Sequence, residues 1–275
     1  MTEAAILTNK IFHDHECAYY DERFAIVHDA RSARKALREV EGLLGRSLRS
    51  GELVLDAGCG TGWLAAGLRR ARPDLRVIGN DVSAGMTGKA RAAGAWPLLQ
   101  ADATRLPLRD GAVDLVVGRG VLHHLPDVAA ALAEWRRVLA PGGAVVLSSE
   151  PTPVVEGHGM LLLKVLLPLL RRTMSAEEDF WEVASMAANL HVFTLGQLEG
   201  LARDAGYGGV ELTTADLLST MVLTASYVTH GRRPALARRL PWRRAEAAAA
   251  VVDRAVVARA VPERYRHTIV GVLRP

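Results

Sequence analysis

The chain is nearly devoid of lysine. Only Lys10, Lys35, Lys89 and Lys164 occur among 34 basic side chains, so arginine supplies the rest. Together with abundant alanine and 25 glycines, that bias reads as GC-rich coding. The pI near 9.3 is therefore no argument for a nucleic-acid partner, and the net charge of +4 is modest. Cysteine is scarce too. Cys17 and Cys59 cannot build a disulfide framework, which points to a reducing compartment. Repeats are absent, and the only low-complexity tract is the short run Ala247 to Ala250. The start, Met1-Thr2-Glu3 followed by Lys10, His13 and Asp14, lacks the basic-then-apolar plan of a secretion signal. The most apolar stretch, Gly159 to Leu170, is too short to cross a bilayer and carries Lys164 and Pro168. A soluble, cytoplasmic protein without a membrane span is expected.

What is present is core material. Of 275 residues, 49% are hydrophobic, which excludes a disordered chain and allows one large domain or one domain with an appendage. Ala33, Leu37, Val40 and Leu44 fall at helical spacing, with Asp29 as N-cap and Gly45 as stop. From residue 51 the texture changes. Short apolar runs (Leu53 to Leu55, Leu75 to Gly79, Trp96 to Leu99, Val113 to Val117, Ala144 to Leu147) alternate with helical segments (Trp63 to Arg72, Ser83 to Ala93, Asp127 to Leu139). Such alternation means βαβ units and a parallel sheet covered on both faces. The expected plan is a helical cap over 1–50, an α/β core over 51–150 and a helical lid over 151–193. Residues 194–275 would complete the core, with a basic helical insertion at about 216–262 and a last strand from His267 to Leu273.

The chemistry concentrates at Val54-Leu-Asp-Ala-Gly-Cys-Gly-Thr-Gly62, three glycines between a buried strand and a helix. Such a turn lets backbone approach a ligand at the carboxyl edge of an open α/β sheet. A dinucleotide fingerprint wants a small residue where this chain has Trp63. An acid inside the strand end, Asp56, would repel phosphate but suits a cationic, phosphate-free ligand. Asp81 closes the second strand, where a carboxylate can accept both ribose hydroxyls, and Asp102 follows the third, within reach of an adenine amino group. Each acid alone reads equally well as a helix cap. Three in register with the glycine turn make a site.

On these residues the sequence resembles the class I S-adenosylmethionine-dependent methyltransferases of the small-molecule type. The stretches that carry the likeness are residues 54–62, Val77-Ile-Gly-Asn-Asp-Val-Ser83, Ala101 to Leu108, Val113 to Leu125 and Leu139 to Leu147. The resemblance implies a doubly wound, Rossmann-like, mostly parallel seven-stranded sheet. It implies S-adenosyl-L-methionine as cofactor and S-adenosyl-L-homocysteine as product. It sets Gly58, Cys59 and Gly60 against the methionine moiety with Asp56 in support. Asp81 and Val82 would lie at the ribose, Met86 beside the adenosine, Asp102 and Ala103 at the adenine, and Arg119 at the methionyl end. Tyr20, in an N-terminal aromatic-acidic segment, would close over the cofactor. Asn80 before Asp81 is a departure that keeps the carboxylate.

Other candidates divide between chemistry and packing. His123 and His124 follow the fourth strand, where a general base is conceivable and a structural role is the plainer reading. His13-Asp-His-Glu-Cys17 gathers metal-type ligands without a second cluster at fixed spacing, so no metal is expected. Ten arginines between residues 230 and 270 face three acids; a solvated face is the simplest account, an anionic or carrier-tethered acceptor the sharper one. The leucines of 160–170, with Phe180, Trp181 and Met186, suggest a lid over a hydrophobic natural-product intermediate. Two other readings stay open: a cofactor-binding protein of this fold that catalyses a cyclisation, and a nucleic-acid methyltransferase. Against the latter, the fourth strand ends in Gly118-Arg-Gly-Val121 rather than a base-methylation motif.

Overall fold

The computed structural model describes residues 2–94, 96–155, 157–158 and 191–275. Seven strands form one sheet in the order β3-β2-β1-β4-β5-β7-β6. They are β1 (Leu53–Ala57), β2 (Arg76–Asp81), β3 (Leu98–Gln100), β4 (Val113–Arg119), β5 (Leu139–Pro151), β6 (Gly209–Ala215) and β7 (Thr268–Arg274). β1 to β5 pair in parallel, and only β7 runs against its neighbours β5 and β6. The order reverses between β1 and β4, the crevice where open α/β sheets bind ligands.

Side-chain alternation along the strands divides the core in two. Val54, Leu115, Val146 and Val272 pack under α3 (Ala30–Leu44) and α4 (Trp63–Ala71). Leu55, Val116, Val145 and Leu273 pack under α6 (Val128–Val138) and α7 (Leu195–Asp204). Helix ends follow local chemistry. Asp29 accepts from the Ser32 amide, Asp127 from that of Ala130, and Gly45 closes α3 at φ +73°. Thr194 and Gln197 form a reciprocal capping box that starts α7.

The boundaries differ from the expected ones where pairing overrides turn residues. Pro141-Gly142-Gly143 does not delay β5, because Leu139 already pairs with Val113. The short β3 lies at 98–100, in register with Gly79 to Asp81.

Outside the sheet, α1 (Thr2–Glu16) docks on α5 (Ala84–Ala93). Asp14 accepts from the Ser83 hydroxyl at 2.6 Å and the Gly85 amide at 2.8 Å. The next helix, α2 (Tyr20–Arg23), is buttressed by α8 (Leu218–Arg232), where Ser226 donates to the Arg23 carbonyl at 3.0 Å and Tyr227 lies 5.2 Å from Phe24. Much of the arginine run is spent on such ties. Arg238 and Arg243 pair with Glu22 and Asp29 near the start of the chain, and Arg266 donates to three backbone carbonyls. Among the described residues no helix is long and apolar enough to cross a membrane. The leucines of 160–170, Phe180, Trp181 and Met186 lie outside the described residues.

Trp135 is fully buried in α6 and donates its indole N–H to the Ala103 carbonyl at 3.1 Å, tying the helix to the loop after β3. Trp135→Ala should lower unfolding free energy by about 3–5 kcal/mol, measured by urea titration.

Candidate active site

The carboxyl ends of β1, β2 and β4 open into one cavity, closed on the far side by the N-terminal helices. After β1 the chain must turn sharply. Gly58 and Gly60 stand at φ +67° and +53°, in the left-handed region. A Cβ on Gly58 would fall onto the Val121 side chain, whereas one on Gly60 would meet nothing within 4 Å. The turn is held from β2, since Asp81 accepts from the Gly60 amide and the Ser83 amide, both at 2.9 Å. Asp56, buried at the end of β1, accepts from the Ala65 amide at 3.0 Å and so fixes the first turn of α4. Burial raises both carboxyls, Asp56 to about 7.

The other walls follow. Asn80, fully buried, donates to the Ala101 carbonyl at 2.7 Å, which positions Asp102 beside the cavity. Asp102 itself accepts from the Thr104 amide at 2.8 Å. Arg119 at the end of β4 bonds Glu39 at 3.1 Å and stacks over Trp63, 4.8 Å from the ring centre. Beyond it, the backbone N–H groups of Val121, Leu122 and His123 converge on the buried carboxylate of Glu150, at 2.8, 2.9 and 3.2 Å. The His123 ring adds a fourth bond to Glu150, at 3.0 Å from Nδ1. Held this way, His123 stays off the cavity wall while His124 lines it. From the cap come Ile6, Asn9 and His13 of α1 and Tyr20 of α2; Thr61 donates to Asp21 at 2.6 Å, fastening α2 to the glycine turn.

Residues 55–147 match the methyltransferase domain family. The likeness of this stretch, about a third of the chain, is to a methyltransferase domain. A demethylmenaquinone methyltransferase of Staphylococcus aureus is 36% identical over 144 residues, which are 49% of this chain and 59% of that protein. The chain thus spans about three-fifths of the curated relatives it matches. Among solved structures, the phosphoethanolamine N-methyltransferase 2 of Haemonchus contortus superposes with a TM-score of 0.61 at 17% identity, covering 95% of this chain and 57% of that one. The [4+2]-cyclase SpnF gives 0.54 at 20% identity, covering 88% and 80%. At such identities the last two show the fold, which is the seven-stranded Rossmann-like one.

S-adenosylmethionine is the cofactor of this domain type, and the cavity suits it. Among the described residues, the buried Asp56 and half-buried Asp81 have no bonded cation and Asn80 Oδ1 no partner; with a turn whose Gly60 Cβ would project into open space, they ask for a ligand with cationic and hydroxyl groups. The structure brings Tyr20, Asp56, Gly58, Cys59, Gly60, Asp81, Val82, Met86, Asp102, Ala103 and Arg119 onto this one cavity, with His124. His123 is the exception, turned to Glu150. Sequence reading missed Ile6, Asn9, His13, Thr61 and Asn80 on the wall, and Glu150 behind it. Only Asn80, adjacent to Asp81 and polar inside an apolar strand, carried a local signal.

Asp56 generates a pH prediction for the methyltransferase domain. Its folded pKa near 7 lies above the ordinary carboxyl value, so the folded state binds the proton more tightly and loses stability as pH rises between those values. From pH 5 to pH 7 the Asp56 carboxyl alone should cost the ligand-free protein about 2 kcal/mol, read by urea titration as the difference in pH slope between wild type and Asp56→Asn.

Proposed function

We propose that the protein is an S-adenosylmethionine-dependent methyltransferase acting on a small, hydrophobic acceptor, an intermediate of natural-product type from secondary metabolism. One observation carries the reading. The cavity is acidic on its sheet side, at Asp56, Asp81 and Asp102, and carries an apolar set, Ile6, Ile26, Leu64, Val121 and Leu125, beside the polar Asn9, His13 and His124. A polar, cationic cofactor suits the first wall and an apolar acceptor the second. The relative's name supplies an example, since a menaquinone precursor is a hydrophobic quinone.

The lid supports the same reading through its anchored ends. The Phe193 amide donates to the Pro151 carbonyl at 2.9 Å, and the His191 amide to the His123 carbonyl at 3.2 Å. These two bonds hold Phe193 to the end of β5 and His191 to the histidine turn. A connection of about forty residues at such a place is usually functional.

In this reading the cofactor supplies an electrophilic methyl group on a sulfonium. The protein's own residues bind, orient and exclude water. Asp81 would take the ribose hydroxyls with the lone pairs left over from Gly60 and Ser83. Asp56 and the glycine turn would hold the amino-acid end, with Arg119 beside them. Met86, Val82, Asp102 and Ala103 would flank the adenosine, and Tyr20 would close it off. Alignment of acceptor and methyl in a near-attack pose accounts for most of the rate, about 7–11 kcal/mol in favourable cases. The free thiols of Cys17 and Cys59 suit a cytoplasmic enzyme.

Asp81→Ala should weaken S-adenosylmethionine binding about ten- to hundred-fold in titration calorimetry while circular dichroism stays native, because one or two charge-assisted hydrogen bonds are lost. Mass spectrometry of apolar phenols, quinols and polyketides incubated with enzyme and cofactor should show a gain of about 14 Da, a CH3 group replacing one hydrogen. Tight cofactor binding with rearranged but unmethylated product would instead favour the cyclase reading.

A further inference from the structure

We propose that residues 251–265 form a docking face for an anionic phospholipid bilayer, on which the protein lies without crossing it. The distribution of exposed apolar side chains leads to this face. Among the described residues, every large hydrophobic side chain that is exposed falls within 7–19 or 218–265, and none within 24–217. Scattered exposed apolar groups are ordinary, whereas a set confined to one edge of a fold marks a surface with a use. That edge is the carboxyl edge of the parallel strands, where the cavity opens. β6 ends there at Ala215 and β7 begins there at Thr268, and residues 216–267 join them. Helix α1 reaches the same edge through its bonds to the loop after β2.

The densest part of the set is one short run of chain. Helix α9 (Trp242–Val252) has no buried residue and passes into a π-turn over Asp253–Val257. Asp253 and Val257 are buried, while Val251, Val252 and Val256 stand outside at 55%, 39% and 53% exposure, with Tyr265 at 46%. The charges sort the same way. Asp253 accepts from the Leu218 amide at 3.0 Å, the Ser219 amide at 2.9 Å and the Ser219 hydroxyl at 2.6 Å, so this acid is spent on the start of α8. Glu263 accepts from the Thr213 hydroxyl at 2.9 Å. Arg254, Arg259 and Arg264 are exposed beside the valines, and among the described residues no acid pairs with them. Arg259 donates to the Ala255 carbonyl at 2.8 Å, and Arg264 lies over the Tyr265 ring, 4.9 Å from its centre. Valines that can enter the acyl boundary, flanked by guanidinium groups that can reach phosphate, complement an anionic bilayer surface. A second copy of the chain fits less well, because a two-fold contact would set the same arginines face to face. A nucleic acid would engage the arginines and leave the valines in water.

Flotation of the full protein with vesicles tests the face, and no readout depends on cofactor or acceptor. Vesicles of phosphatidylglycerol and phosphatidylcholine in equal parts should bind the protein about ten-fold or more tightly than phosphatidylcholine alone, and added salt should erase the difference. Replacing the valines together (Val251→Ser, Val252→Ser, Val256→Ser) should weaken binding to the anionic vesicles about ten-fold. Replacing the arginines together (Arg254→Gln, Arg259→Gln, Arg264→Gln) should bring it down to the level of neutral vesicles. Both variants should melt with the wild type, since the altered side chains are exposed. Equal binding of wild type to the two kinds of vesicle, or anionic binding that survives either set of changes, would overturn the proposal. A dimer in sedimentation that the valine variant abolishes would overturn it in favour of a second copy. Displacement of the protein from anionic vesicles by duplex DNA, with affinity indifferent to the valines, would overturn it in favour of a nucleic acid.

Discussion

Three backbone N–H groups and one imidazole converge on the buried carboxylate of Glu150, and the β4 side of the cavity follows from that convergence. After β4 the chain leaves the sheet without a regular hydrogen-bond ladder, and its N–H groups would otherwise be orphaned in the interior. Glu150 reaches them because β5 departs from regular pairing with β7 between Leu147 and Glu150, where Ser149 takes φ +61°. The irregularity turns a side chain towards β4 and gathers the turn around it. Val121 is thereby fixed against Gly58, His124 against the cavity and Leu125 within reach of His191, at 3.0 Å. A charge sealed this deeply is tolerable only because four donors meet it. One constraint thus links the glycine turn, His124 and the backbone that meets His191.

The opposite side of the cavity follows a similar rule at Asp81. Its two oxygens join the glycine turn after β1 to the start of α5 after β2, so the two loops that meet a cofactor cannot move independently. Asp14 extends the link to α1 through Ser83 and Gly85, and Asp21 fastens α2 to Thr61. The cap is therefore bonded to the same loops it covers. Opening the cavity means breaking hydrogen bonds to charged carboxylates rather than parting apolar surfaces alone.

How much of this could be read in the sequence depended on distance along the chain. The glycine turn with Asp56, and the acids Asp81 and Asp102, were legible because strand ends and turns are local events and each acid follows its own strand. The buried strands were legible as apolar runs, though β5 began earlier than its Pro-Gly-Gly suggested because Leu139 pairs with Val113. What was illegible came from juxtaposition. His13 sits in a run that looks like metal ligands; its neighbour Asp14 instead caps another helix, and His13 itself meets a ring from the far side of β4. Glu150 looks like any acid at the end of a strand. The arginine run looked like a solvated face, yet Arg238 and Arg243 find partners more than two hundred residues away.

The anchorage of the lid has a consequence for how such a protein can change. Pro151 and Phe193 are bonded to each other, and inside the segment they bound Thr152 and His158 are tied to Arg266 and His267 and His191 to the histidine turn. Closing a longer or shorter connection between such anchors alters the entropy only logarithmically. An exchange of the residues between His158 and His191 would keep every one of those ties, and with them the turns after β1 and β4 that line the cavity.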